Sequence, residues 1–80
     1  MGELKNAHVL AGSDRQLASA LSMTEGVNWV QGFDENRMNV DFSPEVYDEV
    51  MTVLERCGWT VKFDHNRSDN VCDMTFVKED

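Results

Sequence analysis

The chain has 80 residues, which is the size of one domain built around a single small hydrophobic core. Fifteen Asp and Glu residues oppose seven Lys and Arg residues, so the formal net charge at pH 7 is -8. A surface of this sign repels nucleic-acid phosphates and anionic lipid, which argues against direct nucleic-acid binding, whereas a basic protein surface attracts it. Acidity also keeps a small protein soluble, and the composition alone does not choose between these two roles.

Composition also bears on the cellular compartment. No apolar run reaches the roughly 20 residues that a membrane-spanning helix needs, and the first residues lack the basic and then apolar layout of a signal peptide. We therefore expect a cytoplasmic protein that binds no membrane. Cys57 and Cys72 form neither a CxxC pair nor a disulfide framework, and we expect both to be small buried residues.

The first third of the chain predicts a strand followed by a helix. Residues 4–10 mix apolar and polar side chains in a way compatible with a first strand, and Gly12 interrupts them. Ser13 and Gln16 have the spacing of a capping box, so we expect a helix to begin there. Gly26 is typical of the residue that follows a helix C-terminus.

Two strands are predicted next, over residues 27–33 and 38–42. Both segments are rich in aromatic and branched side chains, and the second alternates apolar with polar residues. The polar connection DENR between them suits a hairpin. Gly32 weakens the first of these strands and marks a candidate bulge.

The segment after the hairpin predicts the second helix. Ser43 is its expected cap, Pro44 occupies the first helical position, and Gly58 ends it. One apolar stripe at helical spacing is expected to face the core. Its members are Val46, Val50, Val53, Leu54 and Cys57.

The last two strands are predicted over residues 59–63 and 71–79, with a polar loop between them. The element order is then β-α-β-β-α-β with one added C-terminal strand, which predicts an α+β, ferredoxin-like domain. Both helices are expected on one face of an antiparallel sheet. Right-handed crossovers place the first strand centrally, which predicts the spatial order 5-4-1-3-2. Trp29 and Trp59 are expected in the core.

Gly26-Val27 follows the first predicted helix and Gly58-Trp59 the second, within the segment LASALSMTEGVNWVQGFDENRMNVDFSPEVYDEVMTVLERCGWTVKF. This segment resembles the heavy-metal-associated domain of copper chaperones and metal-transporting ATPases. In that family a helix ends at a Gly-Val pair, two strands follow, and a second helix ends at a Gly-aromatic pair. The resemblance implies the ferredoxin-like fold.

The metal-binding CxxC of that family is absent from this chain. The matching segment is LAGS, with Leu10 and Ser13 in place of the two thiols, and neither is a good ligand for a soft metal ion. Cys57, His65 and Cys72 share no short ligand spacing. We expect no metal site and no cofactor, and a degenerate metal-carrier-like domain stays as an alternative.

Enzymatic patterns are weak. His8 in the first strand and His65 in a loop are candidate general bases, but fifteen acids offer such pairings by chance. The sequence GSD at residues 12–14 lacks the strand and helix context of a nucleophile elbow, and no glycine-rich phosphate loop is present. We therefore expect a protein that is not an enzyme.

The surface of the second helix is the strongest functional signal in the sequence. Four acids and the single basic residue Arg56 give this helix a net charge of -3. Two further acids occupy the hairpin connection. The predicted partner-binding residues are Glu45, Asp48, Glu49, Glu55, Asp34 and Glu35.

Two hypotheses follow from these acids and from the predicted fold. The first is a binding module that docks on a basic surface of a larger protein, of which a nucleic-acid-binding groove is one example. In size and charge the chain is similar to small acidic phage and mobile-element proteins that inhibit nucleases, restriction systems or CRISPR complexes, the anti-CRISPR and anti-restriction type. The second is a self-assembling structural module that dimerises through the helix-free sheet face or an edge strand.

Overall fold

The computed structural model of the protein describes residues 3–5, 9–65 and 70–78. Five strands and two α-helices make up the described part of the chain. In chain order they are β1 (Glu3–Lys5), α1 (Gly12–Ser22), β2 (Val27–Asp34), β3 (Arg37–Phe42), α2 (Tyr47–Arg56), β4 (Trp59–Asp64) and β5 (Cys72–Lys78). A short 3-10 turn, Pro44–Val46, precedes α2.

The strands form one sheet in the order β1-β2-β3-β5-β4. β1 pairs with β2 in parallel, and the other three neighbouring pairs are antiparallel. The α+β class is therefore confirmed, with four strands joined by antiparallel pairing. The predicted order 5-4-1-3-2 is wrong, because β1 lies at an edge and not between other strands.

Burial explains why β3 is the central strand. Its residues from Met38 to Phe42 are all buried, and β2 and β5 pair with its two edges. The helices cover one face of the strand, and hydrogen-bonded polar side chains lie on the other. The first crossover then joins the neighbours β1 and β2 through α1, whereas the second runs from β3 through α2 to β4 and leaves β5 between them.

Both helices cover the same face of the sheet. Ala18 and Leu21 of α1 and Val50 and Leu54 of α2 belong to one buried cluster with the sheet residues. Val30, Val40 and Met74 are paired across β2, β3 and β5 and lie on that face. The opposite face carries no described helix, and it presents the alternate residues of the same strands.

The helix ends match the predictions only in part. Ser43 accepts a hydrogen bond from the Glu45 amide at 3.4 Å and so caps the 3-10 turn that leads into the second helix. α2 itself begins at Tyr47 with no side-chain cap bond, so the predicted cap lies one short turn earlier than the α-helix. α1 instead begins at Gly12 after Ala11, with no side-chain cap bond, so the predicted capping box at Ser13 is wrong. Gly26 has a φ of +97°, which fits its predicted place after a helix, although α1 itself ends at Ser22.

The two cysteines have different environments. Cys72 is buried as predicted, and burial together with the nearby charges of Asp64 and Asp41 raises the pKa of its thiol. The prediction that Cys57 is buried is wrong, because α2 ends at Arg56 and Cys57 lies exposed after it. The apolar stripe of α2 therefore ends at Leu54.

Two further predictions concern the strands. The register between β2 and β3 shifts between Gly32 and Asp34, which places an irregularity beside the glycine where a bulge was predicted. Trp59 is fully buried, as expected of a core residue. Trp29 is only half-buried, and its pairing with Asp41 places it on the helix-free face.

Candidate functional site

Four of the predicted partner-binding acids lie on or just before α2. Asp48 and Glu55 are seven residues apart and share one side of the helix, whereas Glu49 lies about 100° further around it. Glu45 belongs to the 3-10 turn at the start. All four side chains are exposed. We call Glu45, Asp48, Glu49 and Glu55 the α2 acidic surface.

These carboxylates have no cationic partner within the described part of the chain. None of the four lies within ion-pair distance of a described Lys, Arg or His side chain. Asp14 shows the contrast, since both of its oxygens lie 3.0 Å from Lys78 Nζ. Because the α2 acids are exposed and form no ion pair within the described ranges, their field acts on an approaching cation over about a Debye length.

The structure places Asp34 and Glu35 elsewhere. They lie at the turn between β2 and β3, where the Asn36 amide donates a 2.8 Å hydrogen bond to Asp34 Oδ1. The depression beside them is also lined by three cations, Arg37, Lys62 and Lys78. The hairpin acids therefore belong to a surface of mixed charge, and Asp34 shapes the turn.

An apolar groove adjoins the α2 acidic surface. It lies between α1 and α2 and has a volume of about 310 Å³, and Glu49 is the one charged residue among the described residues that line it. Val53, assigned by its spacing to the core stripe, instead lines this groove and is 37% exposed. The other lining residues are Leu17, Ala20, Leu21, Thr24 and Val50. The spacing of residues within one helix does not predict this groove, because the groove depends on the distance between the two helices.

A partly buried polar contact fixes the start of α1 against the sheet. Trp59 Nε1 donates to Asp14 Oδ1 at 3.2 Å, and Lys78 Nζ donates to both oxygens of the same carboxylate. Trp59 begins β4 and Lys78 ends β5, so one carboxylate joins three elements. This contact orients α1, which forms one wall of the groove.

The helix-free face carries a hydrogen-bonded polar network. Asn39 Nδ2 donates to Asp73 Oδ1 at 2.6 Å, and Thr75 Oγ1 donates to Asn39 Oδ1 at 2.8 Å. Asn28 Nδ2 donates to Asp41 Oδ1 at 2.6 Å. Each of these acceptors is therefore satisfied, as buried polar groups require.

An open concavity lies on the same face next to this network. It has a volume of about 430 Å³ and is lined by Phe33, Arg37, Phe63, His65 and Thr75. His65, a candidate general base in the sequence, contacts the Thr75 hydroxyl at 3.2 Å, so its side-chain partner here is not a carboxylate. His8, the other candidate, lies outside the described residues.

The described residues contain no group of three or more His, Cys, Asp or Glu side chains placed to hold a metal ion. In the segment LAGS, Leu10 is buried in the core and Ser13 is exposed. No helix within the described ranges has both the length and the apolar character needed to cross a membrane.

Comparisons of the chain with protein-family models, with curated proteins and with solved structures find no match in any of the three.

Proposed function

We propose that this protein is a non-enzymatic binding module that docks its α2 acidic surface on a basic surface of a larger protein. The observation that carries the proposal is that Glu45, Asp48, Glu49 and Glu55 are exposed and have no cationic partner among the described residues. An acidic face that formed internal ion pairs would have less charge to offer.

Electrostatics supply the approach of the two proteins and their orientation. The field of the unpaired acids extends over about 8–10 Å at physiological ionic strength and steers a basic partner toward α2. Charges at the rim of an interface act mainly on the association rate and on specificity, so this contribution is sensitive to salt.

The groove supplies the apolar part of the contact. Protein interfaces combine an apolar centre with a polar rim, and here Val53 and Leu17 line a groove whose edge carries Glu49. The partner surface that fits is therefore one that carries Lys or Arg side chains around at least one apolar side chain. Such a side chain enters the groove while the cations contact the acids.

A groove that binds nucleic acid is one basic surface of this kind. Docking there would block the nucleic acid, which makes the protein an inhibitor of the anti-CRISPR or anti-restriction type. The similarity in size and net charge to small acidic phage proteins supports this narrower form of the proposal by analogy.

The test is affinity capture with two charge-matched variants. One carries Asp48→Asn, Glu49→Gln and Glu55→Gln, and the control carries Glu25→Gln, Asp34→Asn and Glu35→Gln. All six side chains are exposed, and each variant removes three negative charges. We expect wild type and control to capture the same basic protein at about 50 mM salt and to lose it at about 500 mM. Equal capture by the α2 variant would refute the proposal.

A self-assembling module is the second candidate, and the helix-free face is the observation that favours it. Phe33 and Phe63 are exposed on that face, at 46% and 43%, which is apolar area that a second copy can cover. The edge strand β4 is a weaker route, because a register irregularity beside the exposed Lys62 interrupts its regular edge. Sedimentation over a range of concentrations separates the candidates, since the docking proposal expects a monomer.

A further inference from the structure

We propose that the concavity on the helix-free face binds a small planar aromatic anion, held between Phe33 and Phe63 with its negative charge on Arg37. This site lies on the side of the sheet opposite the helices, so it is separate from the α2 acidic surface and goes beyond the docking function.

Two exposed phenylalanine rings provide the aromatic walls. Phe33 belongs to β2 and Phe63 to β4, and both line the concavity. Each ring already has a neighbour, since Arg37 Cζ lies 6.0 Å from the Phe33 ring centre and the His65 ring lies 5.6 Å from that of Phe63. Rings in such contacts present π faces and edges on which a flat aromatic ligand stacks.

The charge of the site is opposite to that of the protein. Among the residues that the structure describes, Arg37 is the one Lys, Arg, Asp or Glu that lines the concavity. Within the described ranges, no carboxylate lies within ion-pair distance of Arg37. Lys62 Nζ, 5.8 Å from the centre of the Phe63 ring, adds a second cation nearby. In a chain with a net charge of -8, a guanidinium beside the Phe33 ring, in a concavity that Phe63 also lines, favours a carboxylate or phosphate as the ligand group.

The polar network supplies a preorganised floor. Thr75 is 4% exposed and its hydroxyl donates to Asn39 Oδ1, so the Thr75 oxygen can only accept from His65. The contact at 3.2 Å therefore assigns a proton to His65 Nε2. His65 Nδ1 has no partner in the described part of the chain, and in the tautomer with the proton on Nε2 it is a hydrogen-bond acceptor. A hydroxyl or ring N–H of the ligand fits this position.

The size of the concavity limits the ligand. Its volume of about 430 Å³ lies in the lower part of the range of roughly 300–1,000 Å³ that is typical of small-molecule sites. One ring system with one anionic group fits, and a folded macromolecule does not enter. Mononucleotides and aromatic carboxylates both combine a flat aromatic ring system with an anionic group in this way.

The test uses two anionic probes and their uncharged counterparts. AMP is compared with adenosine, and 2-naphthoate with 2-naphthalenemethanol, by following the backbone amide signals of the protein in ¹H–¹⁵N NMR spectra. We expect saturable shifts at the residues of the concavity with one or both anions, and affinity reduced at least about tenfold for the uncharged counterpart. Tighter binding of AMP indicates a nucleotide ligand, and tighter binding of 2-naphthoate indicates an aromatic carboxylate.

Variants separate the site from non-specific attraction. Arg37→Gln and Phe63→Ala are expected to weaken binding at least about tenfold, whereas Arg56→Gln, which removes the same charge from exposed α2, leaves it unchanged. Circular dichroism of each variant checks that the fold is retained. Equal binding of charged and uncharged probes, unchanged affinity in Arg37→Gln, or no shift in the concavity up to about 10 mM of either anion would overturn the proposal. The docking proposal is independent of each of these results.

Discussion

The contact of Asp14 with Trp59 and Lys78 predicts a large loss of stability in Asp14→Ala. The substitution leaves the indole N–H of the fully buried Trp59 without its acceptor and removes the ion pair with Lys78. A buried donor without a partner costs about 1–3 kcal/mol. The ion pair is partly exposed, with side-chain exposures of 31% and 15%, so it adds at most about 1 kcal/mol.

A third contribution comes from the helix itself. Asp14 lies in the first turn of α1, where a carboxylate interacts favourably with the helix dipole by about 0.3–1 kcal/mol. We expect the free energy of unfolding to fall by about 2–4 kcal/mol in total, since the three contributions overlap. For a domain of this size the midpoint of thermal unfolding then falls by roughly 10–25 °C.

The assay is urea unfolding followed by tryptophan fluorescence and by circular dichroism. Asp14→Asn is the matched control, because its side-chain oxygen still accepts from Trp59 while the charge is lost. We expect Asp14→Asn to lose about half as much stability as Asp14→Ala, since the acceptor is kept. A loss below about 0.5 kcal/mol in Asp14→Ala would refute the reasoning, because it would mean that the buried donor finds another partner.

Two further predictions concern a glycine and the thiols. Gly26→Ala is expected to lower stability more than Gly58→Ala. Both glycines have a positive φ, of +97° and +89°, so both substitutions strain the backbone. A Cβ at Gly26 would also lie 2.8 Å from a Val46 methyl group, whereas the atom nearest to a Cβ at Gly58 would be 3.7 Å away. The expected costs are about 2–3 and about 1 kcal/mol, and equal losses in urea unfolding would contradict the close approach. Cys57 is expected to react quickly with a thiol reagent at pH 8, while Cys72 reacts only on unfolding, because burial and two nearby carboxylates raise its pKa. Equal rates for the two thiols in the folded protein would count against that difference in environment.

The segment from Ser43 to the end of β4 was predictable because its signals are local. A cap, a proline at the first turn and a terminal glycine each act within a few residues, and β4 begins at Trp59 as expected. The error at Cys57 has the same origin. A periodic stripe does not show where the helix ends, and the α-helix ends one residue before this cysteine. Burial does not alternate along β4, because Trp59 is its one buried residue and the register irregularity after Val61 pairs Phe63 with Thr75 of the helix-free face.

The strand order depended on information that is not local. β1 has only three described residues, and its neighbour is chosen by the packing of the whole sheet. The alternation of Met38, Val40 and Phe42 with Asn39 and Asp41 is typical of a strand with one buried and one solvent-exposed face. Both faces are in fact buried, because the polar residues between are covered and hydrogen-bonded on the helix-free side.

The candidate site was predictable in its charges and not in its shape. Exposure of Asp48 and Glu55 follows from their places opposite the apolar stripe, whereas Glu49 lies at the edge of that stripe and lines the groove. The interhelical groove and the concavity around Arg37 depend on distances between elements, and no sequence spacing reports those. Asp34 and Glu35 looked equivalent to the helix acids in sequence, yet the fold places three cations beside them.

The most direct measurement of the docking proposal is the affinity of a captured partner for wild type and for the two charge-matched variants. Isothermal titration at about 50 mM and about 500 mM salt gives the comparison. The proposal predicts that Asp48→Asn/Glu49→Gln/Glu55→Gln binds about 10- to 100-fold more weakly at low salt and that the difference shrinks at high salt, while the control binds like wild type. Equal weakening in both variants, or in neither, would contradict the proposal that the partner docks on α2.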